Sequence, residues 1–117
     1  MERRSIYAEL WTSFVALIRS YVAGHDLAQP VSNHALVDEG EAGHLTLRGE
    51  RKTLDLEFDA ATGGGSWAVY EDDPGTERVL TRGRFEIDED SHVALSDGAG
   101  KLEMEVAAEA FTAKVFD

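Results

Sequence analysis

The feature that most constrains the fold is a series of short segments in which apolar and polar residues alternate. Leu45 and Leu47 alternate with polar neighbours, and Leu54 and Leu56 do the same after the short polar loop 49–52. A period of two places successive side chains on opposite faces of a β-strand. The two segments therefore predict a β-hairpin with one apolar face and one solvated face.

The same alternation predicts more strands before and after this hairpin. They are Ala35–Val37, Trp67–Glu71, Val79–Ile87 and a short strand around Val93 and Leu95. Within Val79–Ile87 the pattern places Val79 on the apolar face and Arg82 and Arg84 on the polar face. The loops between strands are too short for parallel crossovers, so we expect an antiparallel sheet of five or six strands over residues 34–96.

The first 24 residues have a helical period instead. Their apolar positions cover roughly 180° of a helix surface, wider than the ~100° stripe of an ordinary surface helix. The side chains that define this arc are Ile6, Leu10, Phe14, Leu17, Ile18 and Tyr21. So wide an arc requires cover on more than one flank, from a curved sheet or from a second copy of the chain. Gly24 is the expected end of this helix.

The C-terminal segment fits two patterns. Leu102, Met104 and Val106 alternate as in a strand, whereas Met104, Ala108 and Phe111 share one helical stripe. We favour a closing helix over 103–116, because residues 107–114 are rich in helix formers. The sequence thus predicts a single α+β domain over 1–117, with helix 1–24, antiparallel sheet 34–96 and helix 103–116, the helices covering one sheet face.

Charge excludes several classes of partner. Lys plus Arg number 11 and Asp plus Glu number 23, which gives a net charge of −12. Residues 1–30 are neutral, so the whole excess lies on residues 31–117. An acidic surface repels polyanions, which argues against nucleic acid and anionic membranes as partners.

Composition also indicates the compartment. The chain has no cysteine, which excludes disulfides and thiolate chemistry. The longest apolar run near the N-terminus, residues 14–18, is too short for a membrane span, and no signal cleavage site follows it. We expect a cytoplasmic protein without a cofactor.

A glycine-rich segment, Gly63-Gly64-Gly65-Ser66, is the feature most easily mistaken for a nucleotide motif. A phosphate-binding loop leads into a helix and usually carries a lysine. Here the strand-like segment 67–70 follows and no lysine is near. The segment is also a poor nucleophile elbow, which needs a strand, a sharp turn and a helix. We interpret it as a loop between strands.

The spacing of the histidines and acidic residues gives little support for a metal site or for acid–base catalysis. The four histidines (His25, His34, His44 and His92) show no short ligand spacing, so we expect surface histidines and no metal site. The acidic runs 71–73 and 88–90 lack the calcium-loop pattern and are interpreted as solvated turns. An enzyme would need His44 or His92 beside a carboxylate in a cleft.

Opposite charges on two predicted strands give another expectation. Asp55, Glu57 and Asp59 share a face of one strand, and Arg82, Arg84 and Glu86 share a face of another. If these strands are neighbours, the expected result is a row of cross-strand ion pairs.

Aromatic side chains are the candidates for a ligand pocket or an interface. They are Tyr7, Trp11, Phe14, Trp67, Tyr70 and Phe85. Trp67 and Tyr70 are expected on opposite faces of their strand, so that one of the two leaves the core. Core packing is the ordinary role of such residues.

Three classes of function remain open. The first is a non-catalytic acidic interaction or regulatory module, self-associating through the wide helix arc or a free sheet edge, or binding another protein. The second is a small-ligand binder with an apolar pocket between helix and sheet, lined by Trp11, Phe14, Trp67 and Phe85. The third is a small enzyme with a histidine–carboxylate site. The sequence favours them in that order.

Overall fold

The computed structural model describes residues 3–28, 35–73, 76–96 and 100–116. His34, residues 74–75 and residues 97–99 lie outside this part of the chain. The elements in chain order are α1 (Arg3–Asp26), β1 (Leu36–Glu39), β2 (His44–Arg48), β3 (Lys52–Asp59), β4 (Gly64–Asp73), β5 (Thr76–Ile87), β6 (His92–Leu95), β7 (Gly100–Glu103) and α2 (Met104–Phe116).

The seven strands form one antiparallel sheet in sequence order, from β1 at one edge to β7 at the other. This arrangement, with a helix before and a helix after the sheet, confirms the predicted α+β class. The sheet has one strand more than the upper prediction, because residues 100–103 pair with β6 before the closing helix begins. The favoured closing helix is confirmed as Met104–Phe116, and of the alternating residues only Leu102 lies in a strand.

The two helices pack against each other and against the same face of the sheet. Phe14 and Ile18 of α1 are completely buried, and so is Phe111 of α2. This packing explains the wide apolar arc of α1, since α2 covers one flank and the sheet covers another. The helix continues through Gly24 to Asp26, so the predicted end at Gly24 is wrong.

The apolar positions of the alternating strands form the sheet side of this core. Leu45, Leu47, Leu54 and Leu56 are each at most 1% exposed. The opposite side chains of the same strands belong to the uncovered face, which we call the open face. A sheet with one packed and one solvated face is the usual outcome of such alternation.

An irregularity in the pairing of β4 with β5 changes one predicted assignment. Val69 pairs with Thr81, but the next residue, Tyr70, pairs with Val79, so Leu80 is an additional residue in β5. Such a bulge reverses the alternation along one strand. Val79 consequently shares the open face with Tyr70 and is half exposed, so its predicted position on the apolar face is wrong.

Neither of the described helices has the length and the apolar character needed to cross a bilayer.

Candidate functional site

The centre of the open face has acidic side chains on one side and basic side chains on the other. Asp55 of β3 pairs with Ala68 of β4, which pairs with Arg82 of β5. One step along the strands, Glu57, Ser66 and Arg84 form the same series. We call Asp55 and Glu57 the acidic row, and Arg82 and Arg84 the basic row.

The predicted row of cross-strand ion pairs between these charges is not formed, because the two strands that carry them are not neighbours. Strand β4 lies between β3 and β5. Two strand spacings of about 4.8 Å each hold the acidic and basic rows roughly 10 Å apart at the backbone. Directly opposed pairs need neighbouring strands.

The basic row has no partner among the side chains that the structure describes. The guanidinium groups of Arg82 and Arg84 form neither a hydrogen bond nor an ion pair there. By contrast, Arg19 pairs with Glu39, and Arg78 lies 3.6 Å from Glu71. Both arginines of the basic row are therefore available to charges from outside the chain.

The two rows form the sides of a shallow groove of about 440 Å³. Its lining comprises Asp55, Glu57, Ser66, Trp67, Ala68, Tyr70, Arg82, Gly83 and Arg84. Ser66 and Ala68 have small side chains, so the floor between the rows is low. Tyr70 stands at one end of the groove, beside Val79.

The aromatic site candidates separate into two groups. Tyr70 lies on the open face, whereas Trp67, its predicted opposite, is buried in the core. Phe14 and Phe85 are also buried there, at 0% and 1% exposure. Tyr7 is half-buried against the turn at Gly63.

Rings in contact occupy the space between α1 and the sheet, in which the second class of function would place a ligand pocket. Trp11 stacks on Phe58 with centroids 5.1 Å apart, and Phe14 meets the edge of Phe111 at 5.9 Å. Trp67 packs edge-on against Phe111, and the ammonium group of Lys114 lies 4.5 Å from the Trp67 ring centroid. These rings form a packed aromatic core.

A second groove, of about 600 Å³, runs between α1 and the turn that joins β1 to β2. Trp11 and Phe58 contribute to its lining, together with His44 at the end nearest the open face. Of the aromatic candidates, Trp11 is the one that lines this groove.

Among the described histidines, His44 is the one that lies close to two carboxylates. It pairs with Glu57 across β2 and β3, and its Nε2 forms a hydrogen bond with Oδ1 of Asp55. One ligand atom from each of these three residues lies within 4.8 Å of the others. Spacing along the chain did not reveal this cluster, because its members come from two strands. The alternation of apolar and polar residues predicts the hairpin of β2 and β3, and the register of that hairpin was the one sequence signal that could have placed His44 beside Asp55 and Glu57.

The other described histidines have different surroundings. His25 stacks on the Phe116 ring at 3.7 Å and lies 3.5 Å from Asp26. His92 is 3.8 Å from Asp88 in the turn between β5 and β6.

The acidic run 88–90 forms a turn organised by Asp88. The carboxylate of Asp88 accepts hydrogen bonds from the backbone N–H groups of Asp90 and His92 and lies 3.1 Å from Nζ of Lys101. The bond from His92 contributes most to holding the pKa of Asp88 below its ordinary value, and Lys101 adds to this effect. Ser91 completes the turn with a φ of 67°.

The glycine-rich segment has a structural role that differs from the predicted loop. Gly63 ends a turn with a φ of 78°. Gly64 and Gly65 already belong to β4. A Cβ at Gly65 would lie 2.4 Å from the carbonyl oxygen of Glu57 and 2.5 Å from the ring of Phe85. Glycine at this position thus leaves room for the ring of Phe85, its partner in β5, to lie across β4.

Comparisons with protein-family models, curated proteins and solved structures give no match to this chain, so the groove and its charges are the basis for assigning a function.

Proposed function

We propose that this protein is a non-catalytic interaction module that forms a homodimer through the open face of its sheet. The observation that carries the proposal is the position of the acidic and basic rows on opposite sides of β4, at matching levels along the strands. At these two levels the pattern is complementary to its own image under a twofold rotation, whereas at the next level Asp59 and Glu86, both acidic, flank Gly64.

The twofold axis of the proposed dimer is parallel to β4 and centred above it. Rotation by 180° about this axis places β3 of one copy over β5 of the other and leaves each residue at its own level. Asp55 then faces Arg82 of the second copy, and Glu57 faces Arg84 of the second copy. Each pair occurs twice, as an isologous interface requires.

The shape of the groove is compatible with this approach. Ser66 and Ala68 of β4 lie beneath the axis and are small, whereas Tyr70, also of β4, meets Tyr70 of the second copy at the end of the groove. Sheets that pack face to face are about 10 Å apart, with strands aligned to within roughly 30°. Tyr70 and the half-exposed Val79 add apolar surface to the same face. Tyrosine is among the residues that contribute most to interface affinity.

The net charge of −12 on each copy opposes association in general, but not at this face. At physiological ionic strength charges are screened beyond about 8 Å. Distant acidic groups of the two copies therefore repel weakly, while the facing rows are in contact. Arg82 and Arg84, which have no partner among the described side chains, add electrostatic attraction at this face.

Two surfaces considered from the sequence are less suitable. The wide arc of α1 is covered by α2 and the sheet within one chain. The part of β5 before Phe85 is not paired with β6 and forms a free edge. Residues 78–84 of this edge include three arginines, so twofold pairing of two such edges would bring like charges together. The proposal retains the cytoplasmic location, which is compatible with the absence of cysteine.

The test combines two charge reversals that act on one facing pair. Glu57→Arg and Arg84→Glu each place like charges opposite each other in the homodimer, and we expect each to weaken it by roughly tenfold or more. An equimolar mixture restores opposite charges at both positions, so the two variants together form a heterodimer. Analytical ultracentrifugation over a range of concentrations measures all three associations, and circular dichroism confirms that each variant is folded.

The matched control is Arg51→Glu, which makes the same charge change in the exposed loop between β2 and β3. We expect this variant to dimerise as the wild type does. A wild-type chain that is still monomeric at about 100 µM contradicts the proposal. So does a mixture of the two reversed variants that shows no heterodimer. A monomer that instead captures an acidic protein through Arg82 and Arg84 would replace self-association with binding of a different partner.

A further inference from the structure

The cluster of His44, Asp55 and Glu57 on the open face combines one imidazole with two carboxylates. Asp55 and Glu57 project from the same face of β3, and His44 projects beside them from β2. Their nearest ligand atoms all lie within 4.8 Å of one another. Each residue is at least partly exposed, so an ion in solution reaches these atoms directly.

The geometry is close to that of a three-ligand metal site. Nitrogen and oxygen ligands lie about 2.0–2.2 Å from Zn²⁺, and a tetrahedral site places them roughly 3.4 Å apart. Small side-chain rotations therefore bring the three groups onto one ion. The rigid pairing of β2 with β3 keeps the three backbone positions in place during this adjustment.

A neighbouring hydroxyl supports one of the ligands. Oγ1 of Thr46 donates a hydrogen bond to Oδ1 of Asp55 at 3.1 Å. Residues that bind ligating carboxylates in this way orient them and are a regular part of metal sites. His44 and Thr46 approach Asp55 from the same strand, β2, so Asp55 is held at a defined position.

We propose that His44, Asp55 and Glu57 bind a divalent transition-metal ion of the Zn²⁺ class, with water completing the coordination. The imidazole distinguishes this class from Mg²⁺ and Ca²⁺, which favour oxygen ligands alone. This proposal requires only one copy of the chain. It does not rest on the proposed dimer, although Asp55 and Glu57 belong to both.

The test is isothermal titration calorimetry of the full chain with ZnCl₂, in a buffer that does not bind zinc. We expect one Zn²⁺ per chain with a micromolar dissociation constant. His44→Gln and Asp55→Asn each remove a ligand while preserving side-chain size, and each is expected to weaken binding at least tenfold. Mg²⁺ at the same concentrations is expected to give no binding.

His92→Gln is the matched control. His92 also lies beside a carboxylate, that of Asp88, but the described residues offer it no second one within ligand distance. Its substitution is expected to leave zinc affinity within twofold of wild type. Titration of Arg84→Glu, which is designed to be monomeric, separates this result from the outcome of the dimer experiment.

Three results would overturn the metal site. The first is the absence of stoichiometric Zn²⁺ binding by the wild type below 1 mM, or about that concentration. The second is binding that His44→Gln leaves unchanged in a variant that circular dichroism shows to be folded. The third is equal loss of affinity in His92→Gln, which would point to scattered surface histidines.

Discussion

Asp55 and Arg82 stand at the same level of the sheet, on opposite sides of β4, with Ala68 between them. One strand of separation prevents them from pairing within the chain. It also leaves Arg82 without a partner among the described side chains, while the pairing of β3 with β2 on the other side places Asp55 beside His44. Asp55 is thus common to the proposed dimer and the proposed metal site.

We predict that Zn²⁺ weakens the dimer. A bound dication would neutralise the acidic row, which faces Arg82 and Arg84 of the second copy. Linkage requires the reverse effect as well, so the dimer would bind zinc more weakly than the monomer does. Sedimentation with and without ZnCl₂ measures the change, which we expect to be roughly fivefold in dimer affinity for a coupling near 1 kcal/mol. Dimerisation of His44→Gln should not respond to zinc, and a response there would assign the effect to another site.

We predict that Gly65→Ala destabilises the fold, because the new methyl group would overlap the carbonyl oxygen of Glu57 and the ring of Phe85. Phe85 is 1% exposed and packed among other rings, so it cannot move aside. Overpacking of this kind costs about 1–3 kcal/mol, and more where the backbone resists.

The comparison for Gly65→Ala is Gly24→Ala in α1, where nothing lies within 4 Å of the added Cβ. This second change should raise the free energy of unfolding by up to roughly 1 kcal/mol through helix propensity. Urea denaturation measures both variants. Equal stability of the two would contradict the close contact at Gly65.

We predict that Asp88 makes the fold sensitive to acid. Its pKa is lowered in the folded chain, chiefly by the hydrogen bond from the backbone of His92, from an ordinary value of 3.8. A lowered pKa means that the folded state favours the carboxylate. The resulting stability is fully present above about pH 4 and is lost as the pH falls through the pKa of Asp88 in the folded state.

Asp88→Asn should therefore lower the melting temperature at pH 7, and its deficit relative to wild type should shrink as the pH falls below 4. The asparagine Oδ1 can still accept the backbone hydrogen bonds, so the difference reports the charge. Asp90→Asn makes the same change in the same turn and should behave as wild type. A deficit that is constant from pH 7 to pH 2.5 would contradict the assignment.

The C-terminal segment shows what sequence patterns can and cannot separate. Leu102 fits a strand and Met104 fits both a strand and a helix, and the structure changes from β7 to α2 between them. Local alternation indicated each element. It could not locate the boundary, because Met104 is buried under either interpretation and the choice depends on pairing with β6.

The candidate site was visible in the sequence only as separate pieces. The alternation of residues 53–59 assigned Asp55 and Glu57 to a solvated face, and that of 82–86 did the same for Arg82 and Arg84. Val79 was misplaced because a bulge depends on how two strands accommodate each other. His44 was interpreted as an isolated surface residue, since its carboxylate neighbours are 11 and 13 positions away in the chain.

The sequence by itself determined the α+β class, the long N-terminal helix and the division of the sheet into an apolar and a polar face. These features follow from periodicity, which expresses the burial of each side chain in terms of its immediate neighbours along the chain. Only the tertiary structure decided that β4 separates the acidic row from the basic row and that His44 meets Asp55. Those relations depend on which strands pair and in what register, and register is set by long-range contacts rather than by local pattern.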